Sequence, residues 1–169
     1  MTMYATVDSP LGELLLVGEE VIGTDGAVAL ASLSLPGQKG AAVVGEGWVH
    51  APGAFAGIAA QLQEYFSGRR TRFDIAYAQG TGTAFQRRVW AALDTVPYGQ
   101  TVSYGQIAER IGTPGAGVRA VGTAIGRNPL LVVRPCHRVI GADGALRGYA
   151  GGVERKEQLL ELESALAVR

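Results

Sequence analysis

Apolar and polar positions alternate in the first part of the chain and recur at helical spacing in the second. Over residues 3–17 the pattern predicts two short strands, Tyr4 to Val7 and Leu14 to Val17. The stretch Asp8-Ser9-Pro10-Leu11-Gly12 joins them as a hairpin with a longer loop. Residues 27–35 (AVALASLSL) partly alternate and predict a third strand, completing a small antiparallel sheet. Residues 36–53, rich in Gly, Ala and Val with two prolines, read as loop. Ile58, Leu62, Tyr65 and Phe66 then fall at helical spacing, with Gly68 as the stop. A short strand is expected near Ile75, and Gly80-Thr81-Gly82-Thr83 marks the boundary between two domains, residues 1–79 and 80–169.

The second part is mainly helical. Thr83 can cap a helix on which Phe85, Val89, Trp90, Leu93 and Val96 form one apolar stripe, ended by Pro97-Tyr98-Gly99. Ser103 can cap a short helix carrying Ile107, Ala108 and Ile111, closed by Gly112. The turn Thr113-Pro114-Gly115 leads to a helix over 117–127 with Val118, Val121 and Ile125 inward. Two short helices joined by a tight glycine-containing turn match a helix-turn-helix, although many helical hairpins share that outline. Leu130 to Val133 reads as a buried strand-like run, and residues 153–167 as a final amphipathic helix. The fold class is α+β.

With 169 residues, 47% hydrophobic and 18% charged, the chain is neither disordered nor rich enough in long apolar runs to span a membrane as a helix. MTMYATVDSP lacks the layout of a secretory signal, so a cytoplasmic location is expected. One cysteine excludes an internal disulfide and any multi-cysteine zinc site. The net charge of zero hides a polarity. Residues 1–68 carry one positive and seven negative charges, while residues 69–150 carry eleven positive, all arginine, and four negative. A solvated surface with chance clustering is the plain explanation. An acidic part beside a part that binds nucleic acid is the sharper one.

The outer face of the helix over 117–127 shows Arg119, Ala120, Gly122, Thr123 and Gly126. Exposed helix faces usually carry Lys, Glu or Gln, and each glycine costs about 1 kcal/mol relative to alanine. So slim a face suits either close helix packing or close approach to the minor groove, only ~6 Å wide, with Arg119 as the one long side chain inserted. The single cysteine, Cys136, follows Pro135, precedes His137, and has Arg134 and Arg138 close by. A lone cysteine is ordinarily an inert small hydrophobe. Here a neighbouring base and positive charge are expected to raise the thiolate fraction, and the thiolate is the nucleophile. Glu163 lies on the face defined by Leu159, Leu160, Leu162 and Leu166, where a carboxylate needs a partner: His137, a structural arginine, or solvent at the rim.

Pro135-Cys136-His137-Arg138-Val139-Ile140 resembles the active-site motif of the O6-alkylguanine-DNA alkyltransferases. Its surroundings are similar too: Val102-Ser103-Tyr104-Gly105, Arg119-Ala120-Val121-Gly122, Arg127-Asn128-Pro129 and Gly148-Tyr149-Ala150-Gly151-Gly152. The resemblance is strong over about residues 80–166 and looser over 3–78, where it implies a ribonuclease H-like α/β domain. It implies that Cys136 takes an alkyl group from O6-alkylguanine in double-stranded DNA, and from O4-alkylthymine, once per molecule and without a cofactor. It further implies that His137 acts through a water as base and that Glu163 holds His137. Tyr104 donates to the departing guanine and Asn128 braces the turn behind the cysteine. Val139, Tyr149, Ala150 and Gly151, with Tyr104, line the substrate pocket. Arg119 fills the gap left by the flipped nucleotide, and Ala120, Gly122, Thr123, Gly126 and Arg127 meet the DNA. Flipping is physically required, because a thiolate cannot reach the O6 substituent inside the base stack.

Ala150 stands where some relatives carry a hydroxyl, which shifts one expected substrate hydrogen bond to the backbone. The first 78 residues lack the cysteines and histidines of a zinc site found in some relatives, so no metal is expected. The partner is damaged duplex DNA and not a membrane. The free protein is expected to be a monomer, with cooperative assembly on DNA left open. The alkyltransferase-like proteins, which bind damage without repairing it, carry another residue at the nucleophile position, and Cys136 argues against that alternative. A helix-turn-helix regulator with a redox-sensing cysteine would leave Tyr104 and the Gly/Ala face unexplained.

Overall fold

In the computed structural model, residues 1–113 and 117–164 are described. The chain forms two compact units, one running from Met1 to Thr81 and the other beginning at Gly82.

In the first unit, β1 (Thr2–Ser9) and β2 (Gly12–Glu20) pair antiparallel, with Val7 opposite Leu14 and Ala5 opposite Leu16. The period of two puts Met3, Ala5, Val7, Leu14 and Leu16 in the core. The Ser9 hydroxyl donates to Gly12 O at 2.7 Å and accepts from Leu11 N at 3.1 Å, and Gly12 takes φ +108° to complete the turn. β3 (Val28–Ser34) pairs antiparallel with β2 through a register shift at Val17/Gly18. The expected loop over 36–53 contains a fourth strand, β4 (Val49–His50), parallel to β1, followed by a 3₁₀ turn at Pro52–Phe55. The sheet, in the order β3-β2-β1-β4, is therefore mixed and not purely antiparallel. A two-residue strand is too short to leave an alternation that sequence can show. α1 (Ala56–Phe66) buries Ile58, Leu62 and Tyr65, and Gly68 follows at φ +79°. Near Ile75 there is no strand, only one bridge between Tyr77 and Leu30.

The second unit begins with two helices started by the same device. Thr83 Oγ1 accepts from Gln86 N and Gln86 Oε1 accepts from Thr83 N, opening α2 (Ala84–Leu93). Ser103 and Gln106 repeat the exchange at α3 (Tyr104–Arg110). Val96 lies beyond the end of α2 but is buried, and Phe85 is half-buried. α4 (Gly117–Gly126) buries Val121, Ala124 and Ile125, and Val118 only partly; the expected turn at Pro114-Gly115 lies outside the described residues. Trp90 ties α2 to α4 by donating from Nε1 to Ala124 O at 2.9 Å. β5 (Val102–Ser103) pairs in parallel with β6 (Val139–Ile140).

Leu130 to Val133 is buried as expected but is a turn and not a strand, with Val132 at φ +70°. α5 (Val153–Leu162) is shorter than the expected 153–167; Glu163 caps its end, Ser164 follows at φ +57°, and Leu166 lies outside the described residues.

Candidate active site

The parallel β5–β6 pair sets the site. It places Ser103 opposite Ile140, and so holds Tyr104, the first residue of α3, near the 3₁₀ turn Cys136–Arg138. That turn is built from behind by Asn128. The Asn128 amide oxygen accepts from Leu130 N at 3.0 Å, and its Nδ2 donates to Arg134 O at 3.2 Å and Leu130 O at 3.4 Å. Cys136 N also donates to Arg134 O, at 2.7 Å, which tightens the chain just before the sulfur. Asn128 is buried, so its satisfied amide holds the turn without competition from water.

Cys136 is 4% exposed, and burial pushes its thiol up to about 11. The nearby cations do favour the thiolate, as expected, but the expected net rise in the thiolate fraction does not follow. Desolvation outweighs the opposing effects of the Asn128 side chain, Lys156 and Arg134. Arg138, expected beside the thiol, is instead committed to Glu163: Nε donates to Oε1 at 2.7 Å and Nη2 to Oε2 at 3.0 Å, while Nη1 donates to Val96 O at 2.7 Å. The resting sulfur is a neutral thiol that needs a base.

His137, fully buried, supplies one. Its Nε2 is 2.8 Å from Glu163 Oε2. The carboxylate, held ionised by the Arg138 fork, only accepts, so Nε2 carries the proton and Nδ1 keeps its lone pair. Burial lowers the His137 pKa against the pull of Glu163, so the ring is neutral at neutral pH. Nδ1 is buried and has no hydrogen-bond partner among the described residues. Glu163 thus satisfies both partners that sequence reasoning set against each other, the histidine and a structural arginine.

Tyr104, Tyr149 and Lys156 each interact electrostatically with Cys136. Burial, then the nearness of Cys136, raises both tyrosine hydroxyls, Tyr149 well above the usual phenol value. Tyr104 OH donates to Arg147 O at 3.2 Å, and the buried Tyr149 hydroxyl lies against the Val132 backbone. Lys156, 1% exposed, was missed by sequence reasoning. Its Nζ donates to Arg147 O at 2.7 Å and to Gly148 O at 3.3 Å, holding the loop that carries Tyr149, and burial brings its pKa down to about 8. Its spacing from Leu159, Leu160 and Glu163 was the available signal, since all four share one helix face. Val139 and Gly151 are buried, and Ala150 is half-buried.

On α4, Arg119, Ala120, Thr123 and Gly126 are exposed, as is Arg127 just beyond. Gly122 is half-buried, and a Cβ there would stand 3.9 Å from the Tyr104 ring. The slim helix face and the sulfur are thus linked through one aromatic ring.

Residues 2–78 match the ribonuclease-like domain of 6-O-methylguanine DNA methyltransferase, and residues 84–165 match its DNA binding domain. A methylated-DNA–protein-cysteine methyltransferase of Mycolicibacterium paratuberculosis is 52% identical over 163 residues, covering 96% of this chain and 93% of that protein. One from Methanosarcina acetivorans is 44% identical, covering 96% and 98%. A crystal structure of Mycobacterium tuberculosis OGT in complex with DNA superposes with a TM-score of 0.85 at 48% identity, covering 96% of this chain and 93% of that one. With the thiol, its histidine and the buried carboxylate assembled on that fold, the chain belongs to the methylated-DNA–protein-cysteine methyltransferases.

Proposed function

We propose that Cys136 is the acceptor in direct-reversal DNA repair, taking the alkyl group from O6-alkylguanine, and from O4-alkylthymine, in a nucleotide flipped out of the duplex. The observation that carries this is the buried neutral thiol followed in the chain by a histidine whose one free lone pair is also buried. The thiol proton passes through a water to His137 Nδ1, and the imidazolium that forms is balanced by Glu163. Sulfur attacks the alkyl carbon, the S–C bond forms as the O6–C bond breaks, and the bond electrons leave on guanine. Tyr104, released from Arg147 O, donates the proton that neutralises the guanine and regains one through solvent as the His137 imidazolium gives up the thiol proton. The thioether has no route back, so each molecule acts once.

Asn128 braces the turn that presents the sulfur, through its bonds to Leu130 and Arg134. Val139, Tyr149, Ala150 and Gly151 wall the flipped base. Arg119 enters the stack, while Ala120, Gly122, Thr123, Gly126 and Arg127 line the groove contact, with residues 80–169 as the DNA-binding and transfer domain. The protein acts in the cytoplasm as a monomer when free. Cys136→Ser tests the assignment: transfer should vanish while affinity for undamaged duplex stays within about threefold. Residual transfer in that variant would remove Cys136 from the role.

A further inference from the structure

Arg147 belongs to the site through its backbone and to the solvent through its side chain. Its carbonyl accepts from the Tyr104 hydroxyl at 3.2 Å and from Lys156 Nζ at 2.7 Å, which fixes the residue beside the pocket. Its guanidinium folds back over its own loop: Nη2 donates to Asp143 Oδ2 at 2.8 Å, with both side chains 61% exposed. Asp143 is held in turn, since its Oδ1 accepts from Ala145 N at 3.1 Å and Ala145 O accepts from Gly141 N at 2.8 Å. One ring separates Arg147 from the slim face of α4. The Tyr104 hydroxyl meets the Arg147 carbonyl, and the same ring lies 3.9 Å from a Cβ placed at Gly122. In the other arginine ion pairs described in the second unit, the side chains of Arg134 and Arg138 are only 16% and 9% exposed. Arg147 is thus the paired arginine there that an anion in solution can reach.

An exposed ion pair is weak, whereas a phosphate offers a guanidinium two parallel charge-assisted bonds. A nucleotide that swings out of a duplex turns about its backbone, so its flanking phosphates come to the pocket mouth. We propose that Arg147 is a phosphate-binding residue at the pocket rim: its guanidinium leaves Asp143 for a phosphate flanking the flipped nucleotide, and Asp143 masks it until DNA arrives. The inference rests on the reading that an alkylated base is flipped from duplex DNA into this pocket. The exchange needs no movement of the backbone. Lys156 keeps its bond to the Arg147 carbonyl when Tyr104 turns to the guanine, so the residue stays in place during transfer.

The test is the second-order rate constant of transfer from a duplex carrying one O6-methylguanine, measured at several salt concentrations, beside that from free O6-benzylguanine, in the full-length protein. Arg147→Ala should slow the duplex reaction roughly tenfold at low salt and flatten the slope of log rate constant against log salt by about 0.9, the share of one phosphate. Its loss on duplex should exceed its loss on the free base at least about fivefold, since a free base brings no phosphate. Arg147→Lys, which keeps the charge, should recover most of the slope. Asp143→Asn should speed the duplex reaction about threefold, and in an Arg147→Ala background it should give less than half of that gain, because no guanidinium is left to unmask. A duplex rate and salt slope unchanged in Arg147→Ala, with the parent reacting normally, overturn the inference and leave the flipping reading standing. An equal gain from Asp143→Asn in both backgrounds overturns the masking. A parent that reacts with free base but not with the duplex overturns the reading itself. Should Arg147→Ala fail to fold, Asp143→Asn decides alone: a faster duplex reaction supports the exchange, and an unchanged one overturns it.

Discussion

Glu163→Gln removes one charge from the centre of a buried cluster and changes almost no volume. Glu163 is 2% exposed, Arg138 8% and His137 0%. In the parent the carboxylate accepts two bonds from the Arg138 fork, at 2.7 and 3.0 Å, and one from His137 Nε2 at 2.8 Å. Glutamine has a single acceptor oxygen, and its amino group would face donors. The Arg138 cation then keeps the Val96 carbonyl and at most the one glutamine oxygen, and has no counter-charge. Removing one partner of a buried ion pair costs about 3–5 kcal/mol. Set against a usual total of about 5–15 kcal/mol, that is a large share of the stability. The chemical loss comes on top. The imidazolium that forms on His137 as it takes the thiol proton has no counter-charge, and the proton on Nε2 has no fixed acceptor. General-base assistance is worth about 10²–10⁴ in rate, so transfer per folded molecule should fall at least about a hundredfold. Urea unfolding followed by single-turnover transfer from O6-benzylguanine at low temperature separates the two effects. A rate per folded molecule within threefold of the parent would refute the histidine–carboxylate account, and an unchanged unfolding midpoint would refute the energetic role of the ion pair.

Arg119→Ala should weaken repair in duplex far more than reaction with free O6-benzylguanine, and Arg119→Lys should restore only part, since an ammonium cannot stack among bases as a planar guanidinium does; equal losses on both substrates would assign Arg119 to the fold. Gly122→Glu should cripple duplex binding, measured by titration at several salt concentrations, because the added Cβ fits beside Tyr104 while the carboxylate faces phosphates; unchanged affinity would mean α4 stays out of the groove. Burial sets Lys156 at about 8 against an ordinary 10.5, and Cys136 at about 11 against 9.0. Between pH 8 and 9 the unfolded chain holds a lysine proton that the folded chain has released, so this pair makes stability rise with pH, and above 9 the cysteine opposes the rise. Denaturant unfolding across that range should show the rise in the parent and lose it in Lys156→Met.

Much of the second unit was legible because its signals are local. Thr83 with Gln86, and Ser103 with Gln106, announce two helix starts through side chains three residues apart, and both capping boxes form. The turn at Leu130 to Val133 was not legible, since four consecutive apolar residues read as a buried strand. What bends them is the side chain of Asn128 reaching forward to Leu130 and Arg134. The state of the thiol was misjudged for a related reason. Sequence shows which charges are near in the chain but not the desolvation, nor that Arg138 turns away to a carboxylate twenty-five residues on. β4 and the bridge at Tyr77 escaped notice because each pairs too few residues to leave a period.

The most direct test of the central claim is the intact mass of the protein after mixing with an equimolar duplex carrying one O6-methylguanine, followed by mapping of the peptide that contains Cys136. The account requires a gain of one methyl group per molecule, all of it on Cys136, with unmodified guanine left in the DNA and no second turnover when more substrate is added. A protein whose mass does not change, or whose added methyl lies on any other residue, would contradict it.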